Sequence, residues 1–193
     1  MPLPSIEPTT SAPPSSAPLT VPPTETTIPP TTAAPVAPAP TAAPKPPALP
    51  GAGTADVSIS RSGTGHLTAI RLGNMGSYDR FVLEFSDQVP GYVIGYRPLP
   101  AKADGSGDDI SLPGAKALVM VTMRSASGYD SDKADPTYTG PNELSGKATQ
   151  VTQAKAAGDF ESVLSWAVGL KSKVPFKVSI MNTPPRLVID FQH

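Results

Sequence analysis

Two histidines, one acidic glycine-rich hexapeptide and a scatter of tyrosines beside arginines are the residues whose types and spacing invite chemistry. A hydrolytic site needs a base titrating near neutrality, and only His66 and His193 qualify. His66 follows Ser62-Gly63-Thr64-Gly65, which reads as a turn feeding a strand from Leu67, while His193 is the last residue and is expected to fray. No nucleophile-elbow pattern accompanies either, so a structural imidazole is expected and a hydrolase using His66 is the weakest of three readings. Asp104-Gly105-Ser106-Gly107-Asp108-Asp109 has the clustered carboxylates a hard cation takes, but it departs from the EF-hand order and lacks its closing Glu. Its Asp-Gly step predicts a hairpin or β-turn instead. No Lys-Ser/Thr follows its Gly-Ser-Gly, as a phosphate loop requires. Cysteine is absent, which excludes disulfides, thiolate metal sites and thiol catalysis together. Neither a cofactor nor enzymatic activity is expected.

Aromatic rings are the better lead, because a flat ring stacks on the apolar face of a sugar while a phenol stays wet. Tyr129 and Tyr138 fall in a long polar stretch, and Tyr78, Tyr92 and Tyr96 lie close in sequence to Arg80 and Arg97. Such pairs suit a glycan bearing carboxylates. The competing reading is core tyrosine with rim arginine, favoured for Tyr92 and Tyr96 because they alternate with a strand period. Arg186 shares an outward face with Asp190, and the two are expected either to pair with Arg80 or Glu84 across a sheet or to mark a polar binding face.

The elements that must position these residues are strands. In Arg80–Ser86, Phe81, Leu83 and Phe85 share one face, and Tyr92–Tyr96 repeats the alternation after Val89-Pro90-Gly91, so the two are expected to be antiparallel neighbours. Ala117–Met123 is apolar on both faces, which predicts a central strand. Phe176, Val178 and Ile180 and then Leu187, Ile189 and Phe191 flank the turn at Met181–Pro185 as a hairpin. A strand at Thr149–Ala154 and another through Leu164, Trp166, Val168 and Leu170 are expected to join at a two-residue Gly158-Asp159 turn. Ser125–Gly146 reads as an irregular loop. Many short strands and no long helix predict a mostly β fold, an antiparallel β-sandwich.

Ahead of this lies a different chain. Up to Pro50 it holds 17 of its 26 prolines, three charged residues and no aromatic ring. Such a stretch buries too little to offset the entropy of ordering, so residues 1–53 are expected to be a disordered Pro/Thr/Ala-rich linker, extended by polyproline II and open to O-glycosylation, before a domain at 54–193. From Gly51 onward 14 Lys and Arg balance 14 Asp and Glu, which makes nucleic acid and acidic lipid poor partners. No apolar run approaches the roughly 20 residues of a membrane span. An exported chain of this type is expected to have lost its signal or lipid anchor, since Met1 opens neither a charged nor an apolar signal region.

Four phrases come together at this point: Ser77-Tyr78-Asp79-Arg80-Phe81-Val82-Leu83-Glu84-Phe85, Pro90-Gly91-Tyr92-Val93-Ile94-Gly95-Tyr96, Gly158-Asp159-Phe160-Glu161 and Pro185-Arg186-Leu187-Val188-Ile189-Asp190-Phe191. From about Leu67 to His193 the chain resembles the AMIN-like domain of actinobacterial, including mycobacterial, exported proteins and lipoproteins. The resemblance implies a β-sandwich, a secreted or envelope location, peptidoglycan or another envelope glycan as ligand, and no catalytic residues. The leading expectation is therefore a monomeric, noncatalytic module that binds cell-wall glycan or an envelope protein from a long tether. A carrier or chaperone for an apolar ligand such as a lipid, held between splayed sheets, is the alternative.

Overall fold

A computed structural model describes residues 47–193; the expectations for a tether at 1–46 lie outside the described residues. Among the described residues every regular element is a strand. One sheet has five strands in the order β14 (Phe176–Asn182), β15 (Pro185–Gln192), β3 (Tyr78–Phe85), β2 (Gly65–Asn74) and β8 (Ala126–Ser127). The other has six: β1 (Val57–Ile59), β4 (Gly91–Arg97), β7 (Ala117–Arg124), β13 (Val163–Leu170), β12 (Val151–Phe160) and β11 (Glu143–Ser145). All pairings are antiparallel except β2 with β8. Two small ladders, β5 (Ala101–Lys102) with β6 (Asp109–Ile110) and β9 (Tyr129–Asp130) with β10 (Asp135–Pro136), complete the set.

Period-two alternation places the core. Phe81, Leu83 and Phe85 of β3 and Leu187, Ile189 and Phe191 of β15 are all within 1% of complete burial, and they face Val119, Val121 and Met123 of β7 and Trp166, Val168 and Leu170 of β13. Each such side chain contributes roughly 1.5–3 kcal/mol by leaving water. Trp166 and Phe81 touch across the layers with ring centroids 6.1 Å apart. This is the expected sandwich.

The central placement of β7 holds, and its second apolar face has a cause. Leu118 and Ala167 on the outside of the six-stranded sheet are covered by Ala101 and Leu112, which the excursion between β4 and β7 lays over them as a satellite cluster. The acidic hexapeptide is the tip of that excursion, closing the β5–β6 hairpin with Gly105 and Gly107 at φ 82° and 74°. The C-terminal hairpin also forms as expected, with Asn182 opposite Pro185.

Four expectations need correction. First, β3 and β4 are not neighbours: β4 pairs with β1 and β7 in the opposite sheet. Val89 and Pro90 are buried as the chain crosses between layers, so the Pro-Gly punctuation marks a sandwich corner rather than a hairpin. Second, the turn between β12 and β13 is Glu161-Ser162, both left-handed at φ 49° and 62°, and Gly158-Asp159 continues the strand past a bulge. Gly158 is small for another reason: a Cβ there would stand 2.5 Å from Cβ of Asp104, where the β5–β6 hairpin crosses β12 with Asp104 N–H donating to Ala157 O at 2.7 Å. Third, Ser125–Gly146 is only partly irregular, since β8 to β11 lie within it. These ladders of two or three residues have almost no periodicity to read. Fourth, His193 is anchored rather than frayed: its Nε2 lies 3.0 Å from Asp79 Oδ1 and its N–H donates to Ser77 O at 3.1 Å.

Candidate functional site

The strands carrying the quoted phrases bring Tyr78, Arg80 and Arg186 onto the outer face of the five-stranded sheet. Arg80 and Asp190 are directly opposed on β3 and β15, and the guanidinium donates from Nε and Nη2 to the two carboxylate oxygens at 2.7 and 2.9 Å. Its carbon sits 5.3 Å from the centre of the Tyr78 ring. Arg186 opposes Glu84 and reaches it at 2.7 Å, and Arg71 of β2 reaches the same oxygen at 2.8 Å. Hydrogen bonds from Arg71 and then Arg186 hold the Glu84 carboxyl below its ordinary range. A shallow groove of about 390 Å³ runs between these side chains over Val82, Val188 and Met181. Every guanidinium lining it already has a carboxylate, so the cross-strand pairing is the observed arrangement.

Behind that face, Asp79 is wholly buried and ties the sheets together. Its oxygens accept from the backbone N–H groups of Thr149, Gln150 and Val151 at 2.9, 2.5 and 2.8 Å, and meet His193 at 3.0 Å. Burial pushes this carboxyl up, but the three N–H groups and His193 outweigh it and hold it below the ordinary value.

Tyr92, Tyr96 and Arg97 lie on the six-stranded sheet, apart from Arg80. Tyr92 is 5% exposed, and Tyr96 donates its hydroxyl to Val174 O at 2.6 Å while accepting from Val174 N–H at 2.9 Å. Burial raises both phenols above their ordinary range. Arg97 pairs with Asp56 at 3.0 Å.

The remaining two tyrosines stand at one end of the sandwich, where β8–β11 and the β12–β13 turn converge. Parallel pairing of β8 with β2 sets Ser127 beside His66, and a groove of about 390 Å³ opens between His66, Ser127, Asp159 and Ser162. Tyr129, 46% exposed, and Phe160, 65% exposed, belong to its walls. Asp159 is fixed by accepting from Gly128 N–H at 2.8 Å and Ser127 Oγ at 3.2 Å. His66 Nδ1 lies 2.8 Å from Asp87, which also accepts from Ser86 Oγ at 2.7 Å; these two contacts, Ser86 first, hold the Asp87 carboxyl low. Among the described residues no hydroxyl is hydrogen-bonded to the other nitrogen of His66, and no cluster of three His, Asp or Glu is arranged to hold a metal.

Next to the groove, and sharing Asp159 with it, is a cavity of about 300 Å³ bounded by Leu67, Leu164, Ala156, Asn142, Tyr138 and Trp166. Tyr138 stands edge-on to Trp166 at 6.4 Å and donates its hydroxyl to Pro141 O at 2.7 Å. Gly140 permits this, since a Cβ there would come within 2.7 Å of the ring. Trp166 Nε1 and Thr137 Oγ1 are buried without a hydrogen-bond partner.

The structure thus divides the eight residues singled out by type: Tyr78, Arg80 and Arg186 on one face, Tyr92 buried and Tyr96 half-buried against the core, Arg97 at an edge pair, and Tyr129 and Tyr138 at the sandwich end. Phe160, Asp159 and Trp166 join the last two, and no local signal marked them as site residues, because β12 and β13 alternate as any half-buried hairpin does.

Residues 65–193, more than half of the chain, match the AMIN-like domain family. No curated protein and no solved structure matches the chain.

Proposed function

Because this chain belongs to the AMIN-like domain family, whose members are generally noncatalytic, cell-wall-associated binding modules, we propose that it is an exported envelope module that seats peptidoglycan or another envelope glycan in the groove at the sandwich end. The observation that carries this reading is the pair of exposed rings, Tyr129 and Phe160, on a groove otherwise lined by hydroxyls, the His66 imidazole and the carboxylates of Asp159 and Glu161. Large apolar side chains left in water at a concave polar site are typical of sugar platforms and rare as packing. Among the described residues no Lys or Arg lines the groove, so it favours neutral saccharide faces over the carboxylate-bearing ones that Tyr–Arg pairs would take. The lipid-carrier reading needs space between the sheets, and Phe81, Phe85, Trp166, Phe176 and Phe191 fill it. The hydrolase reading needs a nucleophile on His66, and among the described residues no hydroxyl is hydrogen-bonded to that imidazole, Ser86 Oγ donating to Asp87 instead.

The test is co-sedimentation of the full chain with purified cell wall. Wild type is expected in the pellet and Tyr129→Ala/Phe160→Ala in the supernatant. Wild type that stays soluble at every pH and salt concentration tried would end the glycan reading.

A further inference from the structure

Six arginines occur in the chain, and the fold treats them in two ways. Arg71, Arg80, Arg97 and Arg186 each reach a carboxylate. Arg61 and Arg124 are exposed and form no ion pair among the described residues, and both line one pocket of about 270 Å³ at the β1–β4 edge. Strand order brings them together. β4 lies between β1 and β7, and Arg124 at the end of β7 is directly opposite Gly91 at the start of β4, which has no side chain to fill the space beside it. On the other flank the chain leaving β1 packs against Gly91, where a Cβ would stand 3.0 Å from Arg61 N and 3.2 Å from Ile59 O. With neighbouring strands about 4.8 Å apart, the two arginine backbones stand within roughly 10 Å of each other. Burial raises the Tyr92 phenol and the charge of Arg61 opposes that rise, so the Arg61 guanidinium acts on a residue of the same pocket. Ser58, Ser60 and Ser125 add hydroxyls, and among the described residues no Asp or Glu lines the pocket. The groove at the sandwich end is the reverse case, with carboxylates and neither Lys nor Arg among its described lining.

We infer that the Arg61–Arg124 pocket is a binding site for an oxyanion, a carboxylate or a phosphate group. Two guanidiniums at one pocket repel each other, and an anion between them turns that repulsion into attraction. Each presents a planar fork of N–H donors that matches paired oxygens, and the serine hydroxyls donate to an oxygen the forks leave free. A neutral hydroxyl in the same place leaves both charges uncompensated, and an ammonium adds a third of the same sign. The site uses none of the groove's residues and stands without the glycan reading. The two are nevertheless neighbours: Ser125 of the pocket is two residues from Ser127 of the groove, and Ala126 between them donates its N–H to Ser162 O at 3.0 Å. A polymer that rests an uncharged ring on Tyr129 and Phe160 thus has a place close by for an anionic substituent.

In a ¹⁵N-labelled full chain the arginine Nε–H resonances report on the site directly, with Arg61→Gln and Arg124→Gln to assign them. Titration with inorganic phosphate, and separately with glucuronate, is compared with sodium chloride at matched ionic strength. The resonances of Arg61 and Arg124 are expected to shift, and those of Arg71, Arg80, Arg97 and Arg186 to stay in place. A response to phosphate alone assigns a phosphate-bearing ligand, a response to glucuronate alone assigns a sugar carboxylate, and a response to both assigns a site open to either. Arg61→Gln/Arg124→Gln is expected to weaken the oxyanion that binds at least tenfold and to leave the urea midpoint in place, because both side chains are exposed and unpaired. Arg124→Lys keeps the charge and loses the fork, and is expected to fall between that variant and wild type. Tyr129→Ala/Phe160→Ala is expected to bind the oxyanion as wild type does. If neither oxyanion moves the two resonances further than chloride does, or if the paired arginines move equally, the oxyanion site is wrong. Wild type that sediments with cell wall and ignores both anions leaves the glycan reading alone standing, and wild type that binds an anion but no wall leaves the oxyanion site alone.

Discussion

The outer face of the five-stranded sheet and the groove at the sandwich end have similar volumes and opposite chemistry. On the face, Arg71 and Arg186 share Glu84 and Arg80 grips Asp190 with two hydrogen bonds, so each guanidinium of that groove has a carboxylate within the fold. At the groove end the rings of Tyr129 and Phe160 stand in water. The first region pairs its charges internally, whereas the second leaves aromatic surface exposed. A residue pattern rich in charge is thus no guide to binding when its charges are cross-strand partners.

That contrast breaks most visibly at Asp79. Asp79→Ala strips the acceptor from the buried backbone N–H groups of Gln150 and Val151, the part-buried one of Thr149, and His193, and is expected to cost about 3–5 kcal/mol, read as a fall in the urea midpoint. Whatever fraction remains folded should still sediment with cell wall. Arg80→Ala comes next: it leaves Asp190, 5% exposed, without its guanidinium and should cost about 2 kcal/mol, discounted because Arg80 itself is a third exposed. A loss within experimental error would make this an ordinary surface pair.

Acid should dismantle the same region. Asp79 and Glu84 titrate below their ordinary values of 3.8 and 4.5 in the folded chain, so their stabilisation is fully present above those values and is lost as pH falls through the depressed ones. The urea midpoint is expected to hold between pH 7 and about 5 and to decline below about pH 4. Asp79→Ala should show a shallower decline; an equal one would place the acid sensitivity elsewhere. The smallest effect on stability belongs to Phe160→Ala, within about 0.5 kcal/mol of wild type because the ring is already in water, while its affinity for cell wall drops several-fold.

Much of the architecture was legible because alternation is a local property. Phe81, Leu83 and Phe85 against Arg80 and Glu84 declare two faces of one strand, and the matching alternation at Arg186–Phe191 makes Arg80–Asp190 and Arg186–Glu84 pairing a natural expectation. Which sheet a strand joins is not local: nothing in Val89-Pro90-Gly91 distinguishes a hairpin from a crossing between layers. Gly158 shows the same limit, since its size answers to Asp104 on a distant hairpin rather than to a turn. The AMIN-like resemblance placed the family. Tyr129 of the groove and Tyr138 of the neighbouring cavity stood out by residue type, whereas Phe160 and Trp166 come near them through the pairing of β8 with β2 and of β12 with β13.

Side-by-side sedimentation of two double variants with cell wall tests the central contrast most directly. Arg71→Ala/Arg186→Ala is expected to pellet like wild type, and Tyr129→Ala/Phe160→Ala to remain in the supernatant. The reverse outcome, with the arginine variant released and the aromatic variant retained, would contradict the account and move the binding surface to the outer face of the five-stranded sheet.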